Sequence, residues 1–100
     1  MATIHSVKSW THLFAAFKAG VKTHDMRIMD RDYKVGDFLC LQEYDKQTET
    51  YTGRQAMAEI TYITSRDHTP CAFSPSALKG EYCILSIRPC AAAAAEPIWP

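Results

Sequence analysis

Three charged residues at close spacing, Lys22, Asp25 and Arg27, directly follow a helix-stopping glycine, Gly20. If the end of that helix and the start of the next strand bring them around one cleft, they form a plus–minus–plus cluster. Such a cluster suits a phosphate or the polar edge of a base. Arg supplies a planar fork of donors and Lys a compact point charge; the carboxylate accepts from an exocyclic amine and lowers the cost of holding two cations together. Read as structure alone, the same residues are a partly exposed ion-pair network that finishes the mouth of the fold, and spacing leaves both readings open. The surrounding stretch, Gly20 to Asp37, holds eight charged side chains, four of each sign, among strand-favouring residues.

Further candidates lie downstream. Arg54 follows Gly53 and is near Tyr51, which fits a phosphate or stacking contact because glycine lets a ligand backbone approach. Glu43 ends an apolar run and reads either as a second cleft carboxylate or as a solvated strand end. Arg31, between Asp30 and Asp32, reads more simply as a loop braced by salt bridges. Stacking one base on an aromatic ring is worth ~1–3 kcal/mol. Trp10, Tyr33, Tyr44, Tyr51 and Tyr62 are available; most must serve the core, and we assign Trp10 and Tyr51 to a ligand. His5, His12, His24 and His68 have no metal-ligand spacing, so no metal and no cofactor is expected. Cys40, Cys71, Cys83 and Cys90 contain no C-x-x-C pair; Cys40 and Cys83 sit in strand-like runs and read as reduced core residues.

The elements that must position these groups follow from periodicity. Ile4 to Val7 reads as a strand. Trp10, Leu13, Phe14 and Phe17 recur at i, i+3, i+4 and i+7, the apolar stripe of a helix capped by Ser9 or Thr11 and stopped at Gly20. From Val21 to Met29 the period changes to two, with His24, Met26 and Ile28 on one face and Thr23, Asp25 and Arg27 on the other. Val35 to Asp37 reads as a turn. Phe38 to Tyr44 is a strand, apolar on both faces at its start and therefore central. Tyr51 to Thr64 is one long or bent strand with a bulge at Gly53, and Tyr82 to Arg88 is the last strand. Ser65 to Gly80 reads as a long loop with at most one helical turn.

One hundred residues make one domain, expected over 1–89, with a loosely ordered tail over 90–100. The tail's alanine run and Trp99 suggest docking on the body or homodimerisation. Net charge is zero, so an RNA ligand would need a local basic patch rather than a global field. No apolar stretch of ~20 residues and no N-terminal signal pattern is seen, so a cytoplasmic protein without membrane contact is expected.

The run Gly20-Val21-Lys22-Thr23-His24-Asp25-Met26-Arg27, with Asp30-Arg31-Asp32-Tyr33-Lys34-Val35-Gly36-Asp37 and Leu41-Gln42-Glu43-Tyr44, resembles the ASCH domains of the PUA-like superfamily. It is most similar to a small bacterial and phage family of that group, a domain of unknown function of the DUF3850 kind. The likeness extends from Ile4 to Arg88 and implies an α+β fold: a small PUA-like mixed β-barrel of about five to six strands with one main helix across the barrel opening. It also implies a cleft at Lys22, Asp25 and Arg27 that binds RNA or a modified nucleotide; Arg54, Trp10, Glu43 and Tyr51 are the further ligand-binding candidates that the residues themselves suggest. Some relatives are ribonucleases, and one branch hydrolyses the amide of acetylated cytidine with a Lys and a Thr three positions later. Here Lys22 fits that pattern but Asp25 holds the threonine's place, and Thr23 has the wrong strand phase to replace it. An acyl-enzyme route through threonine is therefore disfavoured, which leaves Asp25 as a general base beside Lys22. Binding of RNA or a modified nucleotide is the leading expectation. The alternatives are a small hydrolase of a modified nucleoside or RNA, and a phage-type protein-interaction module.

Overall fold

A computed structural model describes residues 2–65 and 81–90. The chain runs β1 (Ile4–Trp10), α1 (Thr11–Lys18), β2 (His24–Ile28), β3 (Phe38–Asp45), β4 (Thr50–Ser65) and β5 (Tyr82–Pro89). The strands form one curled sheet in the order β1-β3-β4-β5-β2. β1 and β3 are parallel; the other neighbours are antiparallel. Among the described residues the result is a mostly β, five-stranded half-barrel with one short helix. The expected loop over 65–80, apart from Ser65 itself, and the tail beyond Cys90, with Trp99 and Cys71, lie outside the described residues.

Across β3, β4 and β5 the inner face is largely apolar. Leu39 and Leu41 of β3, Ala56, Ala58, Ile60 and Ile63 of β4, and Leu85 and Ile87 of β5 are all buried together, with Phe14 and Phe17 of α1 laid against them. Cys40 on the outer face of β3 is also buried, consistent with the interior position of that strand. Cys40, Cys83 and Cys90 are free thiols, and burial pushes all three upward in pKa.

The helix begins later than its apolar stripe suggested. Trp10 is the N-cap residue in extended conformation, and among the described residues no side chain caps the helix. Ser9 is buried in β1, and the Thr11 hydroxyl instead donates to the Tyr44 carbonyl at 3.3 Å. The stop is as expected: Gly20 has φ +82, a left-handed conformation free of Cβ cost only for glycine. The amides of Val21 and Lys22 both donate to the Ala16 carbonyl at 3.1 Å, which pins Lys22 against the helix end.

A polar clamp fastens the start of β1 to β3. Asp37 accepts from the backbone amides of Thr3 at 3.0 Å and Lys34 at 3.2 Å, and its other contact is His5 Nε2 at 2.9 Å. The His5 ring meets buried Tyr33 edge-on, centroids 4.8 Å apart.

Candidate functional site

β2 turns its charged face inward. In register, Asp25 faces Leu85 and Arg27 faces Cys83, two core residues that are fully buried. Partners in register share a sheet face, so Asp25 and Arg27 project toward the barrel interior, while Met26 and Ile28 are exposed on the outside. The expected division of β2 into two faces holds; the apolar one is the solvent side.

Lys22, Asp25 and Arg27 converge. Lys22 Nζ donates to Asp25 Oδ1 at 3.0 Å and Arg27 Nε to Asp25 Oδ2 at 2.7 Å. Lys22 also donates to the His24 carbonyl. All three side chains are largely buried, with 15%, 11% and 22% of their surfaces exposed. The second guanidinium arm crosses to the opposite edge of the sheet, where Arg27 Nη2 donates to the Lys8 carbonyl at 2.7 Å. Arg31 reaches the Ser6 carbonyl at 3.4 Å and also lies 3.7 Å from Asp30. Among the described residues β1 and β2 each pair on one side only. Their free edges thus meet across a seam bridged by guanidinium groups rather than by strand pairing.

Two adjoining hollows of about 360 and 480 Å³ run along that seam and share Lys8, Met26 and Arg27. Asp25, Trp10 and Leu13 complete the first; Tyr33, Arg31 and Tyr51 help line the second. Trp10 and Tyr51 are 40% and 54% exposed, so five of the sequence candidates (Lys22, Asp25, Arg27, Trp10 and Tyr51) gather at or beside the seam. Either hollow has the size of an ordinary small-ligand pocket.

Glu43 and Arg54 are placed differently. They pair with each other: Arg54 Nε reaches Glu43 Oε1 at 2.7 Å and Nη2 reaches Oε2 at 2.9 Å, a bidentate fork. The Thr52 hydroxyl adds a third bond to Glu43 at 2.7 Å. Glu43 is 1% exposed; hydrogen bonds from Arg54, more than the opposing effect of burial, hold its carboxyl below the usual glutamate range. Arg54 lies over the Phe14 ring at 5.6 Å with much of its side chain in solvent.

Lys8 and Tyr44 went unassigned in the sequence, yet Lys8 lines both hollows and its ammonium sits 4.1 Å over the Tyr44 ring. The alternation of β1 carried the signal: Ser6, Lys8 and Trp10 share the exposed face. Among the described residues no group of three His, Cys, Asp or Glu could hold a metal ion, and no helix is long and apolar enough to cross a membrane.

A curled half-barrel with one short helix and a charged, cleft-bearing seam defines a small, mostly β protein with a polar site at an open sheet edge. Within that class the chain belongs to the family described as Domain of unknown function (DUF3850), which matches residues 4–87. It is also similar to the "Uncharacterized 12.9 kDa protein in GpA 3'region" of Escherichia phage P2, at 39% identity over 64 residues. That match covers 64% of this chain and 57% of the phage protein, so the chain spans little more than half of the relative's length.

Proposed function

We propose that this protein binds RNA or a modified nucleotide in the seam between β1 and β2. The reading is carried by one observation: Asp25 joins Lys22 to Arg27, and Asp25 and Arg27 line a hollow together with Trp10. The cations attract a phosphate, the carboxylate accepts from an exocyclic amine, and the indole offers a face to a base. The resemblance to ASCH domains supplies the ligand class. Asp25 commits both oxygens to cations, which favours electrostatic recognition over a role as general base and keeps hydrolysis as the second reading.

The test is a titration of short RNA and nucleoside monophosphates into the parent protein, Lys22→Ala and Arg27→Lys, at low salt. Each variant loses a charge-assisted contact, so affinity falls about 10- to 150-fold in correctly folded protein. Folding is checked by circular dichroism. Undiminished binding in both variants, or no binding by the parent protein, overturns the assignment.

A further inference from the structure

A second feature lies on the outer face and adjoins the seam, whose hollows Trp10, Tyr51 and Lys8 also line. Trp10 of β1 stands in register with Tyr44 of β3, and Tyr44 with Tyr51 of β4. The three rings therefore form one row across three adjacent strands. Tyr44 and Tyr51 meet edge-to-face with centroids 5.1 Å apart, close to the ~4.8 Å spacing of neighbouring strands. A lysine accompanies two of the rings: Lys8 Nζ lies 4.1 Å over Tyr44 and Lys46 Nζ 4.0 Å over Trp10. Beyond Trp10 the surface opens into a hollow of about 570 Å³ lined in part by Lys46 and Asp45. Asp45 accepts from the amide of Gln47 within its own turn, at 2.9 Å.

Rings in a row on a sheet, with cations within reach, match a single-stranded nucleic acid in both parts of its chemistry. Unstacked bases settle on aromatic faces once Lys8 and Lys46, which lie over Tyr44 and Trp10, swing out to meet the phosphates. The ring spacing exceeds the ~3.4 Å rise per nucleotide of a stacked strand, as a splayed single strand requires. A duplex, whose bases are already paired and stacked, gains nothing from such a row. We propose that the Trp10–Tyr44–Tyr51 row, with Lys8 and Lys46, is a stacking platform for single-stranded nucleic acid. It carries the nucleotides that flank the one held in the seam. The platform rests on the seam reading for its ligand class and shares Trp10, Tyr51 and Lys8 with the seam hollows, whereas Tyr44 and Lys46 line neither hollow and belong to the platform alone.

The experiment compares cytidine monophosphate, whose exocyclic amine Asp25 can accept from, with a single-stranded oligocytidylate of about eight nucleotides, within the site sizes typical of such surfaces. Proteins are the parent chain, Tyr44→Phe, Tyr44→Leu and Lys46→Ala, with an acidic octapeptide as competitor. The oligonucleotide is expected to bind more tightly than the monophosphate. Tyr44→Phe keeps the ring and the affinity. Tyr44→Leu weakens the oligonucleotide about 5- to 150-fold, the worth of one stacked base, and by a larger factor than it weakens the monophosphate. Lys46→Ala lowers the slope of log affinity against log salt by about 0.7. Three results overturn the platform: equal affinity for oligonucleotide and monophosphate, equal affinity in Tyr44→Leu and Tyr44→Phe, or displacement of the oligonucleotide by the acidic peptide. Tyr44-dependent oligonucleotide binding without any monophosphate binding sinks the seam reading and leaves the platform standing.

Discussion

Glu43 and Asp37 are carboxylates buried to 1% and 4% exposure, and both are held below their ordinary pKa. For Glu43 the Arg54 fork dominates. For Asp37, burial pushes upward, but hydrogen bonds with His5 and from the amides of Thr3 and Lys34 together outweigh it. The sign follows directly. A carboxyl that ionises more readily folded than unfolded adds stability above its unfolded pKa, and that stability is lost as pH falls through the folded value. Resistance to urea should therefore hold from neutrality to about pH 5 and then decline. Glu43→Gln removes one of these groups, so its stability at pH 7 falls while its acid decline becomes shallower. An acid decline as steep as the parent's means that Glu43 is not a source of the pH dependence. The sequence showed Glu43 and Arg54 as separate cleft candidates. Their union was hidden because it crosses eleven residues and a bulge, and a lone charge does not display its partner.

The β3–β4 hairpin shows how an element sets up such a pair. Its register slips between Gln42 and Tyr44, the position of Glu43, and Gly53 stands nearby on β4 with φ +94. A bulge re-aims side chains locally, and here the fork of Arg54 comes to meet Glu43. A Cβ at Gly53 would touch nothing within 4 Å, so only the backbone opposes a side chain there. Gly53→Ala should cost about 1–2 kcal/mol in urea unfolding, and Gly53→Asn less, because asparagine tolerates left-handed backbone. Equal stability of all three proteins contradicts a left-handed Gly53. This bulge was legible beforehand, since a glycine weakens a strand interior and tends to stand where the ladder bends. So were the helix stop at Gly20 and the interior place of β3. The extent of β1 was not: Lys8, Ser9 and Trp10 continue the strand, whereas Trp10 also fits the i, i+3, i+4 stripe of α1, and short segments satisfy both periods. Which face of β2 turns inward was equally hidden. An inward Asp25 and Arg27 beside an outward Met26 and Ile28 reverses the usual partition, and neighbouring Lys22 and the Lys8 carbonyl supply the partners that stabilise it.

Across the whole molecule, the strands differ in how they are held. Among the described residues, β3, β4 and β5 are each paired on both sides, whereas β1 and β2 have one strand neighbour apiece. Their open edges are tied by Arg27 to the Lys8 carbonyl and Arg31 to that of Ser6. Proteins open locally where backbone pairing is thinnest, so amide exchange should be slowest in β3–β5 and faster in β1 and β2. Arg27→Gln is too short to span the seam, and it withdraws a charge-assisted bond from an edge that has no strand to replace it. The expected result is an increase of about tenfold in exchange at β1 and β2 amides, with β3–β5 little changed. Hydrogen–deuterium exchange resolved to single strands makes the comparison. A uniform increase over all five strands marks Arg27 as a general stabiliser, and no increase at β1 removes the side-chain seam as the closure of the barrel. The distinction bears on the ligand site as well, because the guanidinium that bridges the edges also lines both seam hollows. A ligand phosphate that draws Arg27 away from Lys8 would loosen the edges, whereas one that binds the bridged guanidinium would slow exchange there.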